Sequence, residues 1–347
     1  MKTLNQMVPR FRRAVRSTLA GFTLVELLVA MSILSVLLLL LSQLLDQVQK
    51  SWNYSEGRVS QFREARLAFD LISKNLSQAT LNTYWDLEYD RSTNTVRNYV
   101  RQSELHFATM DGSDLGSTGD GQILGHAIFF QAPLGFSNQY RNLSNLLTAR
   151  GYYLVFGGDK RFKPGFIDAE ERKRFRLMEY RPPAEENQIY IDGDEERVRG
   201  NKANYTDWYR YELEKFSNPI SENIVAFVVA PRDSIEVGGE SGANTFSRIA
   251  PDYKYDSAKH TNPLFVNQLP PLVRITMVAI DETAAVKMDA TGGDPKNILP
   301  AGMFRNTSNF EKDVESVKAA LSQKGFNHKV FSTLVAIRSA KWNTYVP

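Results

Sequence analysis

Residues 21–45 read GFTLVELLVAMSILSVLLLLLSQLL, and the fold is decided by how this stretch is understood. From Phe22 to Leu45 it holds 24 residues with a single charge, Glu26. At 1.5 Å per residue that is about 36 Å of helix, enough to cross a hydrocarbon core of about 30 Å. No comparable run follows, so the sequence predicts one membrane crossing. Lys2, Arg10, Arg12, Arg13 and Arg16 precede the run with no acid among residues 1–21, and Asp46 follows it. That asymmetry predicts a cytoplasmic N-terminus and an exported C-terminal body. A secretory signal also pairs basic residues with an apolar run, but this run is too long. No small-x-small cleavage signature follows it either.

The five basic residues also explain the overall charge. The 347 residues sum to +3, so the chain beyond residue 21 carries −2. The basicity therefore belongs to the leader and is no argument for nucleic-acid binding by the body. With 23% charged and 42% hydrophobic residues the chain is neither wholly disordered nor polytopic. It has no cysteine, which excludes disulfides, thiolate metal sites and thiol catalysis.

Glu26 is the discordant residue. A carboxylate at the centre of a spanning helix costs about 2.5–3.5 kcal/mol, so acids there are functional candidates. Gly21-Phe22-Thr23-Leu24-Val25-Glu26-Leu27 behind a basic leader resembles the processing site of type IV pilins and of the pseudopilins of type II secretion. The resemblance implies cleavage between Gly21 and Phe22 by a prepilin peptidase, which also methylates the new N-terminus at Phe22. It implies that Glu26 docks each subunit onto its neighbour. Leu24, Leu27, Leu28, Ile33 and Leu37 would then pack against other helices in a filament core. A new amine beside Glu26 of the next subunit would relieve the burial cost of both.

Beyond the membrane segment, Phe62, Ala65, Phe69, Ile72, Leu76 and Ala79 fall at helical spacing, and charged residues occupy the other faces. The domains expected are a leader at 1–21, a membrane helix at 22–45, its amphipathic continuation at 46–80, and a head at 81–347. A kink or loosening is expected near Gly57. The fold class expected is α+β, a long helix packed on a large antiparallel β-rich head. Strands are predicted at Glu104–Met110, Ala127–Gln131, Tyr152–Phe156, Phe175–Arg181, Gln188–Ile191, Ile224–Ala230, Leu272–Ile280 and Val330–Arg338. Loops are predicted at 111–121, 192–204, 232–267 and 288–306. Ser308-x-x-Glu311 reads as a capping box for a helix over about 309–324 that stops at Gly325.

The element order resembles the J-type minor pseudopilins, including a segment such as Leu269-Pro270-Pro271-Leu272-Val273-Arg274-Ile275 before a closing strand. Three segments are similar to the prepilin-type Verru_Chthon cassette protein C family: Phe62–Arg66, Ser77–Asp86 and Arg101–Leu105. These resemblances imply a structural subunit of a type IV pilus-like or type II secretion filament, placed at or near the tip, and no enzyme. Expected partners are the peptidase, other pilins or pseudopilins, and an inner-membrane assembly platform. The head is expected outside the cytoplasm, in the periplasm of a two-membrane cell.

Other chemistry is thinly signalled. His106, His126, His260 and His328 show no ligand spacing. Gly157-Gly158-Asp159-Lys160 lacks the P-loop pattern, and Glu185/Glu186 reads as solvated charge. No cofactor is expected, with calcium the one candidate: Asp111, Asp114 and Asp120 in one loop, Asp192 and Asp194 in another. The run Arg172-Lys173-Arg174-x-Arg176 reads as a strand with a solvated basic face rather than a nucleic-acid site. The competing classes are a membrane-tethered enzyme, or an adhesin or DNA receptor presented on a pilin-like stem.

Overall fold

The computed structural model describes residues 23–90, 92–119, 121–141, 143, 145–164, 166, 170–189, 205–233, 247–260, 262–290, 295, 298–299 and 302–341. Contacts divide the chain into two compact units, residues 1–56 and 57–347, each described by itself. Helix α1 spans Leu24–Leu76 and is assigned without a break at Gly57.

In the first unit every described side chain of α1 is exposed. Two serines sit inside the apolar run without stranded hydroxyls. Ser32 Oγ donates to Val29 O and Ser35 Oγ to Met31 O, both at 2.8 Å. Bonding back along the helix is what makes such residues tolerable where water is absent. Lys50 and Asp46 close the polar end as an i,i+4 pair at 2.7 Å.

The second unit is the β-rich head, built on the C-terminal half of α1. Of the stripe that the spacing predicts, Ala65, Phe69, Ile72, Leu76 and Ala79 are buried and Phe62 is partly buried, and Ala68 joins them. The large sheet is antiparallel. Its order is β10 (Tyr255–Asp256), β3 (Ala108–Asp111), β5 (Gly121–Pro133), β6 (Leu147–Gly157), β7 (Arg174–Tyr180) and β8 (Ser217–Glu222). A short β4 (Ser117–Thr118) pairs with β5. The small sheet runs β12 (His328–Ala336), β11 (Leu272–Ile280), β9 (Ile224–Arg232), also antiparallel, with Met277 opposite both Phe227 and Phe331.

Strand alternation sorts the core into two clusters. Ile128, Phe130 and Ala132 of β5 join the first, with α1, both sheets and the helices α2 (Glu282–Ala290) and α3 (Phe310–Gln323). Ala127 and Phe129 join the second, where Tyr153, Met178 and Tyr180 pack under Trp208, Tyr209 and Leu213. Phe129 stacks on Tyr209 with centroids 4.5 Å apart. The central strands are therefore covered on both faces, which is why they read as near-continuous apolar runs. A bulge interrupts β5 between Leu124 and Ile128, and Gly125 there has φ +62°. A Cβ at Gly125 would stand 3.0 Å from Phe227 O, so backbone conformation and close approach both call for glycine.

Several expectations need correction. Residues 104–107 are not strand; β3 starts at Ala108, because side chains of Asn82 and Ser103 take the backbone N–H of Leu105. Gln188 and Ile189 are helical rather than extended, and 190–191 lie outside the described residues. The late helix is present, but Ser308 does not cap it. Asn306 caps a 3-10 turn at Thr307–Asn309 by accepting from Ser308 N at 2.9 Å, and α3 follows from Phe310. Glu311 instead faces Arg274 at 3.3 Å. Gly325, at φ +66°, stops the helix as expected: its N–H donates to Ser322 O, and Phe326 N–H to Leu321 O. That paired bonding is a Schellman closure.

Several elements were not foreseen, among them β4 and β10, which lie inside expected loops, and β8. The hairpin β1 (Tyr84–Tyr89) and β2 (Val96–Gln102) is exposed along most of both strands, so it has no apolar alternation to find. Its turn is held by the Asp90 carboxylate, which accepts from Ser92 N and Thr93 N. Helix α2 starts at an N-cap, where Ala284 N donates to Asp281 Oδ1 at 2.8 Å.

Candidate functional site

The first described residue, Thr23, starts the helix. Its Oγ1 accepts from Glu26 N at 3.2 Å and lies 3.5 Å from Glu26 Oε2, while Leu27 N donates to Thr23 O. Thr23-x-x-Glu26 is thus a capping arrangement, and the negative carboxylate sits in the first turn, where the helix dipole favours it. The Thr-x-x-Glu spacing is legible in the sequence as a helix start, although it sits at the head of an apolar run rather than after a polar loop. Gly21 and Phe22 lie outside the described residues.

Leu24, Leu27, Leu28, Ile33 and Leu37, expected in a filament core, are 77%, 54%, 60%, 56% and 51% exposed in the isolated chain. They belong to eighteen large apolar side chains exposed between Leu24 and Trp52. Each is worth about 1.5–3 kcal/mol on full burial, so covering the set is worth tens of kcal/mol. Leu24–Trp52 is long and apolar enough to cross a membrane.

In the head, the basic run is only partly solvated: Arg172 and Lys173, ahead of the strand, are exposed, but the two arginines within β7 are not. All seven residues of β7 are buried, and Arg174 and Arg176 are each 2% exposed. Arg174 reaches Glu282 and Asp289 of α2, both at 3.1 Å, and Arg176 reaches Glu222 at 3.1 Å and the carbonyls of Gly157 and Gly158. Arg172 pairs with Asp159 at 3.1 Å. These charges tie β7 to its neighbours. The expected open basic face is corrected by the second cover on the sheet, which a strand pattern cannot reveal.

The aspartates considered for calcium have other work among the described residues. Asp111 caps the 3-10 turn Gly112–Leu115 by accepting from Ser113 N and Oγ. Burial would raise its pKa, but these bonds, with His126 and Lys254 nearby, hold it below the usual carboxylate value. Asp114 pairs with Lys254 at 2.8 Å. Asp120, Asp192 and Asp194 lie outside the described residues, and no group of three possible ligands converges among those described.

Both buried histidines are saturated. His126 accepts from Val229 N at Nδ1 and lies 3.1 Å from Phe304 O at Nε2, and burial pushes its pKa down toward the neutral ring. His106 Nδ1 accepts from Trp208 Nε1 at 3.1 Å, and its Nε2 faces Asp256 at 2.7 Å. His260 and His328 bond the carbonyls of Ile249 and Phe326.

Residues 17–42 match the family described as the prokaryotic N-terminal methylation motif. No curated protein and no solved structure matches the chain. The match covers Gly21, Phe22, Thr23, Glu26 and most of the apolar run, and it supports a processed, membrane-anchored protein of the type IV pilin-like kind.

Proposed function

We propose that the chain is a minor pilin or pseudopilin, an assembly subunit of a type IV pilus-like or type II secretion filament. The observation that carries this reading is the methylation motif at residues 17–42, placed on the apolar helical span Leu24–Trp52, whose side chains are all exposed. Prepilin peptidase cuts after Gly21 and methylates Phe22, and the assembly platform draws the helix from the bilayer into a bundle. There Leu24, Leu27, Leu28, Ile33 and Leu37 bury against neighbouring subunits. The exposed Glu26 carboxylate, bonded only within its own helix turn among the described residues, takes the amine of the next subunit and sets axial register. The likeness to J-type minor subunits, with an antiparallel closing strand after Leu269–Ile275, supports a place near the tip.

Intact-mass measurement of the protein from its native membrane tests the reading. Loss of residues 1–21 with gain of one methyl group is the expected result. An uncut N-terminus in cells with active peptidase refutes it, and a membrane-anchored binding protein then leads. The DNA-receptor version of that alternative has little support, since Arg174 and Arg176 of the basic run are buried in ion pairs and Arg172 is paired with Asp159.

A further inference from the structure

A cavity of about 450 Å³ opens beside the β1–β2 hairpin, walled by Trp85, Arg101, Thr83, Ser339, Gln268 and Lys341 among others. Its volume lies in the range of small-ligand sites. Among the described residues no acid lines it, yet two cations do. The first, Arg101, is half-buried, and burial lowers its pKa. Its Nη1 donates to Leu264 O at 3.1 Å and Val266 O at 3.3 Å, which fixes the plane of the guanidinium. The Nε–Nη2 edge has no partner among the described residues. That edge presents two parallel N–H groups, the fork that accepts a carboxylate. Lys341, at the rim, is exposed and also has no described partner.

The remaining walls narrow the chemistry further. Trp85 lies opposite Arg101 across the hairpin, is 50% exposed, and has its ring centroid 5.1 Å from the guanidinium carbon. The guanidinium lies over the indole ring, and the half of Trp85 left exposed offers a flat apolar surface beside a fixed cation. The two hydroxyls have already committed their protons: Thr83 Oγ1 donates to Asn267 O at 3.1 Å, and Ser339 Oγ donates to Ala79 O. A hydroxyl so committed can only accept from a ligand. The occupant must therefore bring an anion, a flat apolar face and several O–H donors of its own.

We propose that this cavity binds a carboxylated sugar, a uronic-acid residue of an acidic polysaccharide. The pyranose face lies on Trp85, the carboxylate takes the free edge of Arg101 and the ammonium of Lys341, and the ring hydroxyls donate to Thr83 and Ser339. The site gives the head a ligand of its own, independent of how the helix is processed.

The test is calorimetric titration of the full chain in detergent micelles with trigalacturonate, beside maltotriose and acetate. Saturable binding of trigalacturonate is expected, at least tenfold tighter than either comparison probe. Lys341→Gln, an exposed change that leaves the fold alone, should weaken it about tenfold, the worth of one charge-assisted contact. Trp85→Ala should weaken it by a similar factor, and Trp85→Phe by less. Equal binding of maltotriose overturns the anion requirement, and equal binding of acetate overturns the sugar. Absence of saturable binding, or binding indifferent to both Lys341→Gln and Trp85→Ala, overturns the site.

Discussion

Arg174 offers a sharp test because its partners are unequally buried. The guanidinium is 2% exposed, whereas the side chains of Glu282 and Asp289 are 43% and 29% exposed. Removing the acids as Glu282→Gln with Asp289→Asn strands a cation that water cannot reach. Removing the cation as Arg174→Met leaves two carboxylates that can hydrate, and Glu282 keeps its bond from Asn223 at 2.8 Å. Two unit charges about 4 Å apart interact by about 4 kcal/mol at an effective dielectric of 20. Desolvation offsets much of that, and the exposure of the acids reduces it again. The double acid variant should lose about 3–4 kcal/mol, in line with breaking a buried pair. Arg174→Met, whose thioether replaces the apolar stem, should lose about 1–2 kcal/mol. Urea unfolding of the full chain in detergent, followed by aromatic circular dichroism, gives both values. If Arg174→Met proves as costly as the double acid variant, the reasoning from unequal burial is wrong.

Other substitutions separate roles that share a residue or a strand. Glu26→Gln keeps a side chain able to complete the Thr23 cap but removes the charge, so it should be processed normally yet be missing from sheared filaments; recovery at the wild-type level would remove the docking role. Asp159 has its carboxyl held at about 2: burial opposes this, but hydrogen bonds from Arg172 and Lys163 overcome it. Since the folded value is below the ordinary 3.8, the stabilisation is present above about pH 4 and fades as pH falls through 2. Asp159→Asn should therefore cost about 1–2 kcal/mol at pH 7, after discount for the exposed arginine, and close to nothing at pH 2 by denaturant midpoint. Gly151→Ala drives a methyl into the Phe129 ring and against Tyr180 Cβ, so it should destabilise by about 1–3 kcal/mol in thermal melts.

The sequence showed those parts whose pattern has one physical explanation. An uninterrupted apolar run needs cover, and the stripe from Phe62 to Ala79 fits one helical face, so both halves of α1 were legible, although the helix stops at Leu76 rather than near residue 80. Leu272–Ile280 was read with correct bounds because a run rich in β-branched residues, bounded by Pro271 and Asp281, suits a central strand, here paired on both edges by β9 and β12. The hairpin β1–β2 was invisible for the opposite reason. Its strands hold each other through backbone pairing while most side chains face water, so no apolar period marks them. The burial of Arg174 and Arg176 was equally hidden. Their solvent is replaced by acids more than 40 residues away in sequence, on β8 and α2, and no local window contains both partners. The cavity at Trp85 has the same character, since its walls come from four separate stretches of chain.

The two units solve opposite problems. Among the described residues of 57–347 most apolar side chains pack internally: both faces of the large sheet are covered, and even the charges of β7 are paired inside. Within Leu24–Trp52 none is spent, and eighteen large apolar side chains wait for a lipid or protein neighbour. A bilayer satisfies those side chains but leaves the Glu26 carboxylate without a charged partner; a bundle of like helices can supply both apolar cover and an amine. The apolar gain is similar in the two settings, because lipid tails are as apolar as leucine. The difference between them must then come chiefly from the polar end of the helix. On the proposed assembly reading, Glu26 is the residue that decides between membrane and filament, and the cap from Thr23 holds it in the first turn.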